Sequence, residues 1–537
     1  MIDIASRASL LTRAHARDLS TRWFWLAVAA TAATYGIVLA VYLRTLPPSE
    51  DEGLALFTGR GSLPHVLNVV IGQRGGAPLH FVLAWGVVHL GGGLTALRAI
   101  SLTFDVASIP VIAVLGARLA DRVVGVVAAV LAGATWVFLY QGIYGRMYSL
   151  FLFTSALSFI ALIDALDHGG RKRFALWGIA LLATLASHPY AVLVLGAQGL
   201  YVLLRRVRLR AALITLGVVV IAAFPFWWAD VVLRNRFGVG VGGGGARLGS
   251  PHAVVHYFWW VAGDFAAGHR SWSTPLLLVA AAGVVLLALR RWTSVLLMGC
   301  VLAVPAVAFA LAKLGSATSP EARHLIFALP FYSTVLAVAI VSVARLLPPF
   351  TIPVALAALV LIVFGEVRWA RERTPALFDG DSTAQAKARA EASAWLASTA
   401  RSDDVPLGYE PLYITAWERN PAFSKHAVPR ADARLFTDAL RALPEPIGRG
   451  IWVFDASATT NKVKRTTIPF ALPSPAKDFV GRAFGPYLVI RSRRPLGTRA
   501  HYIAVTEDVE RLGKSLHIGD ADINLHTALV ASRSFNG

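Results

Sequence analysis

The chain has 537 residues, of which 56% are apolar and only 15% charged; 51 basic against 31 acidic residues give a formal charge of +20. Soluble domains carry roughly 25% charged residues, so the composition excludes an ordinary cytosolic enzyme and a disordered tail protein. One cysteine, Cys300 in an apolar run, excludes an intramolecular disulfide framework and a Cys-based metal cluster.

A spanning helix needs about 20 mostly apolar residues. The first such run is Trp23 to Leu43, preceded by Arg7, Arg13, Arg17 and Arg22 and followed by RTLPPSEDE without a small-residue cleavage site. It predicts an uncleaved anchor with a cytoplasmic N-terminus. Three acids, Glu50, Asp51 and Glu52, come next. The apolar run from Pro78 to Leu90 is too short to span comfortably, so it reads as an interfacial or re-entrant helix on the outer side. Further runs lie near 99–117, 123–141, 147–164, 174–187, 190–204, 211–229, 273–289, 293–312, 324–344 and 350–366.

Basic clusters between these runs fix the sides. Arg118 with Arg122, RKR at 171–173, RRVRLR at 205–210, RR at 290–291 and Arg345 mark cytoplasmic loops. They do not form one basic face interleaved with aromatics, which argues against a nucleic-acid partner. Both ends of 174–204 are basic, so that stretch crosses twice or dips and returns, turning at SHPY, 187–190.

The expected fold class is a polytopic α-helical membrane protein of about 11 transmembrane helices with a C-terminal extracytoplasmic mixed α/β domain. The transmembrane domain takes residues 1–369, with external loops 44–98 and 230–272; the soluble domain takes 370–537. In the second loop, VGVGGGGARLGS is expected to be mobile, and Tyr257, Trp259 and Trp260 read as an interface belt. Asp264 of that loop is a candidate metal or acceptor ligand. Beyond 370, RERTPALFDGDSTAQAKARAEASAWLAS reads as an amphipathic helix, and VPLGYE, GIWVFDA, YLVIRS and HYIAVT as strands. The glycine runs lack a strand–loop–helix context and a Walker lysine, so no nucleotide motif is present.

Chemistry enters through the polar residues on the outer side. GLAL after the three acids holds them near the membrane surface, where a carboxylate can take a proton from an acceptor hydroxyl. Neighbouring carboxylates are expected to raise one another's pKa. Cations converge on the same rim: Arg98 in TALRAIS, Arg146 in YGRMYSL, His188 in SHPY, and Arg323 with His324 in EARHLIF. Three external arginines run against the positive-inside trend, and Arg forks match phosphate oxygens. A carboxylate beside a cationic rim suits displacement of a lipid-linked phosphate by a hydroxyl. Asp105, inside the second span, is expected to be paired within the bundle.

These pieces resemble the membrane glycosyltransferases of the GT-C superfamily, most of all the branch of protein O-mannosyltransferases and lipid A aminoarabinose transferases. The matching segments are Asp51-Glu52 after the first helix, APLHFVLAWGVVHLGGGLTALRAIS, GRMYSL, SHPY and ARHLIFALP, spread over about residues 23–345. The resemblance implies sugar transfer from a polyprenyl-phosphate donor to a protein, cell-wall glycan or lipid acceptor, outside the cytoplasm, with inversion. It implies a base at Asp51, with Glu52 beside it, and a donor-phosphate partner at Arg98; Arg146, Tyr148, His188 and Arg323 match further positions. At Gly76-Ala77-Pro78 relatives often carry Lys or His before two prolines. That leaves one phosphate partner to His80 or Arg74. No cofactor is required, though a divalent metal is compatible with the chemistry. The rival readings are a polytopic transporter and a non-catalytic scaffold; an enzyme places its polar residues at one face, a transporter at mid-depth.

Overall fold

The computed structural model describes residues 19–237, 250–265, 270–311, 321–380, 383–429, 433–456 and 479–515. VGVGGGGARLGS lies almost wholly outside the described residues.

The helical part begins with α1 (Thr21–Tyr42), capped by the Ser20 hydroxyl. Next come α2 (Glu50–Gly59), α3 (Leu63–Leu67) and a π-helical turn, Asn68–Arg74. Two more helices are α4 (Pro78–His89) and the long α5 (Leu94–Leu119). A bent pair, α6 (Arg122–Ala134) and α7 (Trp136–Gly142), turns by 66° at Thr135. Then follow α8 (Tyr148–His168), α9 (Arg171–Ser187) and α10 (Ala191–Arg205). A second pair, α11 (Leu209–Ala222) and α12 (Phe224–Phe237), bends by 55°. The rest of the bundle is α13 (Pro251–Phe265), α14 (Arg270–Ala288), α15 (Trp292–Leu311), a 3-10 segment Ala322–Ala328 running into α16 (Leu329–Arg345), and α17 (Thr351–Arg373).

Every apolar run expected to span lies in a helix of this bundle. By length and composition six of the described helices can cross a membrane, and eight spans result if each bent pair counts as one. The remaining three runs, in α9, α10 and the Thr274–Ala288 part of α14, are shorter. The outer face is apolar and open: Ile37, Ile221, Leu278, Ile352 and Phe364 are each more than 60% exposed. Soluble monomers do not expose apolar surface on this scale; hydrocarbon is the solvent that fits it. The chain is a multi-pass membrane protein.

The short run at Pro78–His89 does not join the bundle core. Phe81, Ala84 and Val87 of α4, with Leu54, Leu56 and Phe57 of α2, belong to one apolar cluster with Leu412, Tyr413 and Val453 from the C-terminal part. Arg60 donates to the Phe423 carbonyl and covers the Trp417 ring, and the Leu94 amide donates to Glu418. The loop after the first span and the C-terminal domain therefore share a core.

That domain is mixed α/β. After α18 (Pro375–Phe378) and α19 (Thr383–Thr399) come β1 (Val405–Pro406), α20 (Pro411–Arg419), α21 (Ala433–Ala442), β2 (Gly450–Asp455), β3 (Phe479–Phe484), β4 (Tyr487–Ser492) and α22 (Arg499–Ser515). The sheet order is β1-β2-β4-β3, with β1 parallel to β2 and the other pairs antiparallel. Strand alternation splits its side chains: Ile451, Val453 and Val489 face the cluster shared with α2 and α4, while Trp452, Phe454, Leu488 and Ile490 face α21 and α22.

Two local expectations fail here. HYIAVT is not a strand; it opens α22, whose Tyr502, Val505 and Val509 recur at helical spacing and bury on the sheet. The long amphipathic helix expected from 371 is broken at Thr374-Pro375 and beyond, because proline cannot continue it, and α17 itself runs on to Arg373.

Candidate functional site

The site is organised by the first turn of α2. Ser49 caps it and forms a capping box with Glu52, an arrangement that satisfies two orphan backbone donors. This fixes two adjacent acids in opposite surroundings, because successive helix positions point about 100° apart.

Glu52 is fully buried. Its carboxylate accepts from Arg98 Nε at 2.7 Å and Nη2 at 2.8 Å, from the Ser49 amide at 3.0 Å and from the Gly145 amide at 2.8 Å. A Cβ at position 145 would stand 3.0 Å from Glu52 Oε1, so glycine allows this approach. Arg98 is equally committed: Nη1 donates to the Leu46 and Leu43 carbonyls and Nη2 also to the Pro47 carbonyl. Every guanidinium donor has a protein partner, and the residue is 2% exposed. Arg98 therefore holds the 43–52 segment in place, and no donor is left over for a donor phosphate. Sequence reasoning saw an arginine at the rim; it could not see that five oxygens converge on it.

Asp51 differs. Its side chain is 41% exposed and lies 3.6 Å from Arg146 Nη1. The Tyr144 hydroxyl donates to it at 3.1 Å and also meets Ser49. Burial pushes its carboxyl up, but Arg146, Arg323 and Arg74 outweigh that and hold it below the ordinary carboxylate value. The expected mutual raising by Glu52 is absent, since Glu52 is neutralised by Arg98.

Arg146 is 9% exposed and reaches the Asp51 carbonyl as well. Arg323 pairs with Glu321 at 2.8 Å and lies over the Tyr148 ring at 5.1 Å. Arg74 ends the π-helical turn and lies over Phe81 at 5.1 Å. Gly75 follows with φ +76°, and a Cβ there would stand 2.3 Å from the Ala229 carbonyl of α12. Only glycine lets this turn seat on α12 and aim Arg74 back toward Asp51. His80 is buried and sits in the field of Arg146, Arg74 and Asp51; burial first, then the two arginines, push its pKa down to about 3. It is neutral at physiological pH, so of the two residues named for the missing phosphate partner only Arg74 supplies a charge.

Next to Arg323 stands a ring cluster. His324 stacks on Tyr190 at 4.6 Å, His188 stacks on Phe151 at 4.7 Å, and Tyr148 lies 5.3 Å from His188 and 6.0 Å from His324. The Glu321 amide donates to His324 Nδ1 and the Tyr190 amide to His188 Nδ1, which fixes both imidazoles with the proton on Nε2. Tyr144, Tyr190 and Glu321 were not singled out by the sequence, although each is an end residue of a motif that was quoted, YGRMYSL, SHPY and EARHLIF.

Asp264 stands apart. It is buried and ion-paired with Arg373 at 3.0 Å, and Arg373 in turn covers Trp136. Tyr257 of the same helix is buried, its hydroxyl donating to the Glu321 carbonyl, whereas Trp259 is exposed; the expected belt is thus only partly one. Asp105 is also not as expected. It is fully buried, and among the described residues no cation pairs with it; the nearby Ser149 hydroxyl donates to the Gln141 carbonyl. Among the described residues no group of three or more His, Cys, Asp or Glu could hold a metal ion.

No family model and no curated protein sequence matches the chain. Solved structures do. ArnT from Cupriavidus metallidurans in the apo state superposes with a TM-score of 0.58 at 14% identity, over 88% of this chain and 98% of ArnT. The same protein bound to undecaprenyl phosphate gives 0.57 at 14% identity over the same shares. The archaeal oligosaccharyltransferase AglB from Archaeoglobus fulgidus gives 0.48 at 12% identity, over 81% of this chain and 69% of that one. The ArnT likeness establishes the GT-C fold.

Proposed function

We propose that the chain is a glycosyltransferase that moves a sugar from a polyprenyl-phosphate donor to an acceptor hydroxyl of a protein, cell-wall glycan or lipid. The observation that carries this reading is Asp51: a partly open carboxylate ringed by Arg146, Arg323 and Arg74 at one end of a membrane bundle. ArnT, which shares the fold, is known bound to undecaprenyl phosphate, which supports a lipid-linked donor here.

The reaction is a single inverting displacement. The acceptor oxygen bonds to the anomeric carbon as the carbon–oxygen bond to the phosphate breaks; polyprenyl phosphate leaves, and Asp51 takes the hydroxyl proton. Arg146 and Arg323, with Arg74 in place of the missing lysine or histidine, stabilise the charge that grows on the phosphate. Fixed cations do this best where water is scarce. Asp51 is a weak base while three guanidiniums face it. The negative phosphodiester of a bound donor screens them, so donor binding raises the basicity of Asp51 when the proton must move. Arg98 and Glu52 are positioning residues. The ring cluster of Tyr148, His188, Tyr190 and His324 offers stacking faces and two Nε2 donors beside Arg323, suited to a sugar.

The arginines provide the positive charge, so the mechanism calls for no cofactor. The membrane is the cell membrane, with the N-terminus cytoplasmic and the C-terminal domain outside. Support comes from connectivity: the basic clusters after α5, α8, α10, α14 and α16 lie at one end of the bundle, and Asp51 at the other.

The test is release of polyprenyl phosphate from a short-chain polyprenyl-phosphate sugar by the purified protein, followed by mass spectrometry. Turnover by wild type and none by a folded Asp51→Asn variant is expected. Transfer by Asp51→Asn at the normal rate would sink the assignment.

A further inference from the structure

Between α9 and α11 runs a groove of ≈ 760 Å³ that the transfer chemistry does not use. Phe174, Gly178 and Leu182 of α9 and Ala211, Thr215 and Ala222 of α11 line it, each set at helical spacing on one face. A Cβ at position 178 would stand 3.3 Å from Thr215 Cγ2, so glycine keeps the floor shallow there. Ile179, Ile214 and Val218, also in the lining, are each more than half exposed, and the groove opens sideways onto the surface that faces hydrocarbon. Among the described residues no acid lines it.

One end of this apolar groove is cationic. Arg171 opens α9, Arg208 immediately precedes α11, and both belong to the lining. α8 leads from the Arg146 turn to His168, just before Arg171, so this end lies opposite Asp51. The two acids in the last turn of α8 are spent elsewhere: Asp164 on Arg173 at 2.9 Å and Asp167 on Arg205 at 2.7 Å. Arg208 donates to the Leu166 carbonyl, which carries no charge. Among the described residues no carboxylate pairs with Arg171 or Arg208. Gly170 and Arg208 are also the cap residues of α9 and α11, and neither helix has a side-chain cap. The free amides of both first turns add partial positive charge at the same end. Positive-inside bias explains basic loops; it does not explain two unpaired arginines at the mouth of one apolar groove.

We infer that the groove binds an anionic phospholipid, with the phosphate held by Arg171 and Arg208 and one acyl chain laid along α9 and α11. Guanidinium forks match phosphate oxygens, and basic pockets between spanning helices suit such headgroups. The length fits as well. From Arg171 to Leu182 a helix rises roughly 16 Å, half of a hydrocarbon core about 30 Å thick, which is the reach of a chain in one leaflet. A free phosphate shares the anion chemistry but leaves the apolar length uncovered. In α11 only Ala212 and Val219 are buried, so a chain seated here gives that helix contacts it otherwise lacks.

The experiment is thermal unfolding of the full-length protein in detergent, titrated with phosphatidylglycerol, phosphatidylcholine or inorganic phosphate. Phosphatidylglycerol is expected to raise the midpoint saturably, because a ligand of the native state stabilises it by mass action. Two variants separate head from tail. Arg171→Gln removes a side chain with no polar contact among the described residues; it is expected to unfold as wild type does in phosphatidylcholine and to weaken phosphatidylglycerol binding roughly fivefold, the effect of one basic residue at an anionic headgroup. Ala175→Phe places a ring in the groove from an exposed position and leaves both arginines; it is expected to weaken the same binding by displacing the chain. Three results would overturn the proposal: equal effects of the two lipids, inorganic phosphate reproducing the shift at the same concentration, or unchanged phosphatidylglycerol affinity in either variant. Glycosyl transfer does not enter this readout, so the outcome is independent of the role of Asp51.

Discussion

Asp51 and Glu52 are neighbours in sequence, and each meets an arginine from a distant part of the chain: Glu52 meets Arg98 of α5, and Asp51 meets Arg146 of the turn between α7 and α8. Glu52 and Arg98 close on each other with side chains 0% and 3% exposed, all their polar atoms spent on the protein. Asp51 and Arg146 stand 3.6 Å apart with Asp51 41% open. Burial separates a closed structural clamp from a pair that keeps an open side. A saturated pair holds geometry, whereas a loosely matched one keeps capacity for a ligand.

The sharpest way to break this contrast is to neutralise each acid in turn. Asp51→Asn is expected to lower transfer by roughly 10²–10⁴-fold, the usual worth of a general base, while the thermal midpoint stays near wild type; a lipid-linked-sugar assay and an unfolding scan check both halves. Glu52→Gln should do the reverse in kind. It leaves Arg98 charged and buried, a loss of about 3–5 kcal/mol, visible as a large drop in midpoint. If Glu52→Gln kept full stability and Asp51→Asn lost it, the two roles would be exchanged.

Arg146→Lys retains the charge but loses the fork that matches a phosphate. A fall of about tenfold in kcat/KM with unchanged folding is expected, whereas Arg98→Lys should chiefly destabilise. The pH profiles give a subtler separation. In the free protein Asp51 is held below the ordinary carboxylate value; in the donor complex the phosphate relieves that pull. The acid limb of kcat should therefore lie at higher pH than that of kcat/KM, which reports the free enzyme. Coincident limbs would separate Asp51 from the donor phosphate.

The effect of His80 is nil at neutral pH and appears only in acid. Its pKa falls from 6.5 to about 3 on folding, so the unfolded chain binds the extra proton in that window. The resulting stability is full above pH 6.5 and is lost as pH falls toward 3. His80→Asn should flatten the midpoint-versus-pH curve between these limits.

Much of this was legible from composition and spacing. Apolar runs and basic clusters located the bundle helices and their ends, and Asp51, Arg146 and Arg323 were found as polar residues on one side. Arg98 was placed correctly and misread, because its five acceptors come from residues 43–52, whose path no periodicity encodes. HYIAVT was misread because a six-residue window fits either period, and only the sheet beneath α22 selects the helical one.

By itself the sequence determined what hydrocarbon and water dictate residue by residue: which segments are apolar enough to build the bundle, where charges fall between them, and that a mixed α/β region follows. Those preferences are local and need no partner. Tertiary structure alone decided which acid is spent on an arginine and which is left open, that α4 joins the C-terminal core, and that arginines from separate loops meet at one groove. Such outcomes depend on distances between residues tens or hundreds apart in the chain, and the pairing energy of a charge is set by what else reaches it there.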